Sequence, residues 1–150
     1  MSFPLPLPMR LALDLARQAA SAGEVPVGAV IVRGEEVVAM AGNAMCSGLD
    51  PTAHAEMEAI RTAAARLGAQ RLDDCDLYVT LEPCAMCAGA ISHARLRRLY
   101  YGAEDPKGGA VAHGPRFFSQ PTCHHRPEIY GGIGDAEAAT LLRSFFASRR

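Results

Sequence analysis

The sequence predicts a single α/β domain, with a mixed β-sheet held between two helical layers. Three observations carry this. Segments with apolar residues at helical spacing alternate with short β-branched runs. Their order is a helix, a hairpin, then strand–helix units, which a three-layer α/β/α arrangement accommodates. The chain has 150 residues, 49% hydrophobic and 21% charged, the profile of one folded domain.

The elements follow in order. Met9 to Ala20 sets Met9, Ala12, Leu13, Ala16, Ala19 and Ala20 on one stripe, an amphipathic helix. Val25 to Val32 is an apolar run broken by Pro26 and Gly28 and reads as a strand. The turn at 33–36 returns it as a second strand, Val37 to Ala41. Asp50-Pro51-Thr52 then interrupts the chain, and Thr52 is the expected N-cap of a helix from Ala53 to about Leu67, ended by Gly68. Asp76 to Leu81 reads as a strand, and Pro83 opens a helix to about Ala94. Leu99 to Gly102 is a further strand. From Ala103 to about Pro127 there are four prolines and no periodicity; a loop of that length in a compact domain is either functional or conceals structure. Asp135 is the expected cap of a last helix, with Leu141, Leu142, Phe145 and Phe146 on its apolar side.

Composition excludes several classes. No apolar run is long enough for a membrane span, and Met1 to Pro8 carries prolines in place of a signal peptide, so a cytoplasmic protein is expected. The net charge is −1, but residues 1–90 hold six basic and eleven acidic side chains, and residues 91–150 nine and five. The C-terminal part therefore offers an anion-binding face, which is weak evidence for nucleic acid. An odd count of five cysteines without a secretion signal argues against a disulfide framework and for metal binding or catalysis.

His54, Cys84 and Cys87, with Glu56 beside the histidine, form the chemical constellation. Residues three apart at a helix start point their sulfurs to one side. The helix N-terminus lowers a thiol's pKa and favours the metal-binding thiolate. Two thiolates and one imidazole suit Zn²⁺, and three protein ligands leave a fourth position for water. Positions i and i+2 face different ways on a helix, so His54 and Glu56 share a site only if the metal sits over the helix end. Thiolate ligands neutralise the ion and acidify its water less, so a nearby base is needed; Glu56 serves if it is not itself a ligand.

His54-Ala55-Glu56 with Pro83-Cys84-Ala85-Met86-Cys87 resembles the cytidine deaminase superfamily. Within it, Glu24 to Val30, Asn43, Asp50 to Glu56 and Leu77 to Cys84 are similar to the bacterial tRNA adenosine deaminases, and the resemblance runs from Met9 to Arg150. It implies a five-stranded mixed sheet and conversion of adenosine to inosine at the anticodon wobble position. Glu56 would take a proton from water and protonate N1 of a flipped-out adenine, and ammonia would leave. Asn43 matches a position that contacts the target nucleoside. Asp105 and Lys107 match positions on a loop bordering the RNA, and Phe146 and Arg149 positions on a last helix contacting the anticodon loop. The implied partners are a tRNA anticodon stem-loop and a second copy of the chain, a homodimer whose subunits both contribute to each tRNA site; the implied cofactor is one zinc ion per subunit.

Two other functions compete: a free-purine (guanine) deaminase on the same scaffold, and a non-catalytic, zinc-stabilised RNA-binding module. Blander readings stand beside individual residues. Cys46 or Cys123 would complete a closed structural zinc site. Asn43 would be a polar turn residue. Arg95, Arg97 and Arg98 would serve a helix C-terminus or a phosphate. Phe145 is expected in the core, and Phe146 either in the core or stacked on a base. Cys123-His124-His125 would need further ligands to hold a metal.

Overall fold

The structure is a computed structural model and describes residues 4–149. Its elements are α1 (Leu7–Ser21), β1 (Gly28–Arg33), β2 (Glu36–Gly42), α2 (Ala55–Leu67), β3 (Asp76–Leu81), α3 (Ala85–Ala94), β4 (Arg98–Ala103), a 3₁₀ turn at Phe117–Ser119, β5 (Glu128–Tyr130) and α4 (Asp135–Ala147). The sheet runs β2-β1-β3-β4-β5. β1 is antiparallel to both β2 and β3, whereas β3, β4 and β5 are parallel.

Strand alternation builds the three layers. Ala29, Ile31, Leu77, Val79 and Leu99 face the small residues of α2 and α3, including Ala55, Ala59, Ala63 and Ala88. Val30, Val32 and Tyr78 face the other way, onto Met9, Ala12 and Leu13 of α1 and Ala138 of α4. A side-chain period of two, read on both faces of one sheet, requires this division. Burying an aliphatic side chain as large as Ile31, Leu77 or Leu99 contributes about 1.5–3 kcal/mol. The alanines of α2 let it approach the sheet closely.

Several boundaries differ from the sequence expectation. Val25-Pro26-Val27 lies outside β1: Pro26 has no N–H, and the Val27 N–H turns back to the Val25 carbonyl. Thr52 is not the cap of α2. Its N–H and hydroxyl both bond Asp50 Oδ1 (2.8 and 2.7 Å), which leaves His54 as the extended N-cap residue. Gly134, in the left-handed region, precedes α4, so Asp135 is its first residue and bonds the Ala136 N–H. The 103–127 stretch is not structureless; it carries the 3₁₀ turn with Phe118 buried, and it delivers the short β5. Gly68 ends α2 at φ 61°, as expected of a left-handed cap.

This topology gathers the chemistry at one edge. The carboxyl ends of β2, β3 and β4, the segment entering β1, and the N-termini of α2 and α3 all meet there. Ligands of open α/β sheets bind at such strand ends.

Candidate active site

His54 is the N-cap of α2 and Cys84 the N-cap of α3, with Cys87 one turn inside. Two helix starts thus converge, each with N–H groups that have no partner within their own helix. His54 Nδ1 stands 3.6 Å from Cys84 Sγ and 3.5 Å from Cys87 Sγ. Tetrahedral zinc, with bonds of about 2.1 Å to nitrogen and 2.3 Å to sulfur, needs an N···S separation of about 3.6 Å. Both separations match that ion, and the three ligand atoms all lie within 4.8 Å of one another. Among the described residues, these three form the one group of such side chains whose ligand atoms converge. Cys46 is exposed elsewhere, and Cys123 Sγ bonds the His125 carbonyl, so neither closes the site.

The sulfurs differ in character. Cys84 accepts from the Cys87 thiol, and the Cys87 and Met86 N–H groups and the His54 charge help draw its pKa down to about 5. Cys87, donating that proton and buried, is pushed up. A cation bound between them would let both carry charge.

Glu56 is buried at the second position of α2 and is pushed up to about 7, first by burial and then by the Cys84 thiolate. A carboxyl held there exchanges protons at neutral pH. It lines a cavity of about 260 Å³ with His54, Cys84, Val25, Val27 and Leu81. Asn43 and Asp105 line the same cavity. Asn43 Oδ1 accepts the Ala55 N–H at 3.1 Å, taking the capping role that residue type suggests for Thr52.

The remaining predicted contacts lie further out. Lys107 is exposed and outside the cavity lining. Arg149 stacks on the Phe145 ring at 4.3 Å and lines an adjoining groove that shares Val25, Asn43 and Met45 with the cavity. Phe145 is buried, whereas Phe146 is 50% exposed. Arg97 and Arg98 are committed within the domain, to Asp76 and Glu128. His125 Nε2 meets the Leu96 carbonyl at 2.7 Å, so the Cys123-His124-His125 run fastens the loop and holds no metal cluster among the described residues.

Sequence reasoning missed two buried carboxylates. Glu24 accepts the Cys46 and Ser47 N–H groups and shapes the loop after β2. Glu82 does the same for the loop after β4. Burial alone would raise the Glu82 pKa, but N–H donors from Asp105, His113, Val111 and Ala112 outweigh it and hold the carboxyl below its ordinary range. Both lie in stretches of the sequence matched to the family, yet nothing in residue type or spacing distinguished them from solvated acids.

What these strand ends assemble is a metal-dependent deaminase centre on a cytidine deaminase-like fold. The chain belongs to the MafB19-like deaminase family, whose model matches residues 7–146. It is 58% identical over 142 residues to the tRNA-specific adenosine deaminase of Agrobacterium fabrum (strain C58 / ATCC 33970), covering 95% of this chain and 93% of that one. A solved structure from work on A-to-I editing by tRNA:A34 deaminases at the wobble position of transfer RNA matches with a TM-score of 0.89 at 58% identity, covering 90% of this chain and 98% of that one. The guanine deaminase of Bacillus subtilis matches with a TM-score of 0.66 at 37% identity, covering 82% of each chain. No helix among the described residues is long and apolar enough to cross a membrane.

Proposed function

We propose that this protein hydrolyses adenosine to inosine at the wobble position of a tRNA anticodon. The observation that carries the reading is Glu56 buried beside the His54–Cys84–Cys87 group, in a chain 58% identical to a tRNA-specific adenosine deaminase across 95% of its length. His54, Cys84 and Cys87 would hold one zinc ion, which supplies Lewis-acid activation of water when bound. Glu56 takes a proton from the attacking water and returns it to N1 of the adenine. Oxygen is added at C6 and ammonia leaves, so water and adenosine give inosine and ammonia. Burial serves Glu56 twice, raising its affinity for the proton and excluding bulk water from the exchange.

Asn43 and Asp105 line the space a flipped nucleoside would fill, and Asn43 Nδ2 has a hydrogen-bonding proton to offer it. Phe146, Arg149 and Lys107 would meet the surrounding anticodon loop by stacking and by phosphate contact. The reading further implies a homodimer with both subunits at each tRNA, which sedimentation would report as twice 15.9 kDa.

Inosine formation on an anticodon stem-loop with adenosine at the wobble position tests the substrate. Ammonia release from guanine with no inosine in the RNA would favour the guanine deaminase reading, which the Bacillus subtilis likeness motivates. Glu56→Ala separates catalysis from a binding module: metal and fold are retained and turnover is lost. Unaffected turnover would sink the catalytic assignment.

A further inference from the structure

We infer that Glu82 is a positioning residue, which clamps the 105–113 loop into place as one wall of the nucleoside cavity. Its side chain is fully buried, and both oxygens are occupied. Oε1 accepts the Asp105 N–H at 3.0 Å and lies 2.8 Å from His113 Nδ1. Oε2 accepts three successive N–H groups, those of Val111, Ala112 and His113, at 3.1, 3.0 and 3.2 Å. One carboxylate thus fastens both ends of a nine-residue loop that has no regular structure of its own. Buried N–H groups must find acceptors, and no strand or helix supplies them here.

The loop and the metal-binding helix are thereby tied to a single residue. Glu82 immediately precedes Pro83 and Cys84, and the Ala110 N–H bonds the Pro83 carbonyl at 2.9 Å. On its other side the loop turns Asp105 and Gly108 into the cavity that holds Glu56 and His54. Asp105 Oδ1 in turn accepts the Lys107 and Gly108 N–H groups, closing the tip. Displacing the carboxylate would free the wall facing the substrate while leaving the ligands on their own helices.

Gly109 is the counterpart of the clamp. A Cβ at this position would lie 2.5 Å from the Asp105 carbonyl oxygen and press on Glu82 Oε2. The loop can close over a carboxylate this tightly only where residue 109 has no side chain.

The proposal rests on the deaminase reading, and two variants test it. Glu82→Gln keeps the shape but presents an amide NH₂ to N–H donors on one side. Gly109→Ala keeps the carboxylate at residue 82 but sets a methyl group against it and against the Asp105 carbonyl, pushing the loop away. Both are expected to bind one equivalent of zinc, to raise KM for the anticodon stem-loop at least tenfold, and to change kcat by less than threefold. Hydrogen exchange should show amides 111–113 losing protection while α2 and α3 keep theirs. That exchange readout needs no substrate, so it judges the clamp even if wild-type protein forms no inosine, the outcome that would instead defeat the deaminase reading. Unchanged protection of amides 111–113, loss of zinc, or a fall in kcat at constant KM would each overturn the assignment. If Glu82→Gln fails to fold, Gly109→Ala decides by the same readings.

Discussion

The side-chain oxygen of Asn43 accepts the backbone N–H of Ala55 at 3.1 Å, so a residue lining the cavity also closes the first turn of the helix bearing Glu56. Its two ends can be separated by mutation. Nδ2 meets only a weak acceptor among the described residues, the Met45 thioether at 3.6 Å, and is free to turn to a ligand. Asn43→Asp keeps the capping oxygen and removes the donor. It should leave Tm near that of wild type and lower kcat/KM by about 10- to 100-fold, the worth of one missing hydrogen bond in a buried site. Asn43→Ala should lose the same activity and also about 1 kcal/mol of stability. Thermal melts read beside initial rates check this; equal losses of Tm in the two variants would show that the oxygen is no cap.

Removing the metal should loosen the fold as well as the chemistry. The ligands come from α2 and α3, which have no covalent link closer than the chain between His54 and Cys84. A cation joining them stabilises the native state by about 4 kcal/mol when its free concentration is about 1,000 times Kd, or roughly 10 °C in Tm for a chain of this size. Chelation should lower the Tm of wild-type protein and leave Cys84→Ala and Cys87→Ala unchanged, since those variants hold no metal to lose. Metal analysis of each variant beside its melting curve is the measurement.

Much of this was legible in the sequence, and for identifiable reasons. The apolar period of α1 and the hairpin pattern of β1–β2 are local signals, and both elements formed where the residues placed them to within a few positions. The ligands were legible because a cysteine pair three apart, preceded by proline, has few other uses. What escaped was long-range and polar. No period in the sequence announces that Glu82 will bond amides 23 to 31 residues away, nor that Glu24 will reach 22 residues to Cys46. β5 was hidden for a related reason: three exposed residues form a strand only because β4 offers them an edge.

Glu24 gives the stability of the protein a pH dependence of known sign. The Cys46 and Ser47 N–H groups hold its carboxyl below the usual value of 4.5. A carboxylate whose pKa is lowered by folding contributes stability that is complete above its unfolded value and is lost as pH falls through the folded one. Glu24→Gln removes that contribution. The Tm difference between wild type and Glu24→Gln should therefore be largest near neutral pH and shrink below pH 4.5. A difference that stayed constant into acid would mean that the N–H groups of the loop do not depend on the charge.

Phe145 and Phe146 are neighbours in sequence with opposite fates, which makes them a matched pair for testing whether this face of α4 meets RNA. Phe145 is 9% exposed, whereas Phe146 is 50% exposed and meets its neighbour edge-on. Truncating the buried ring leaves a cavity, and Phe145→Ala should cost about 3 kcal/mol of stability. Phe146→Ala should leave Tm unchanged. If its ring stacks on a base of the anticodon loop, its removal should weaken binding by about 1–3 kcal/mol. Arg149→Ala should behave differently again. It weakens binding at low salt and flattens the dependence of log Kd on log salt by about 0.7, as follows when one phosphate of single-stranded RNA is no longer neutralised by the protein. Titrations of a labelled stem-loop at several salt concentrations distinguish the two. A Phe146→Ala variant that bound RNA as tightly as wild type would return this face of α4 to ordinary solvent-exposed surface.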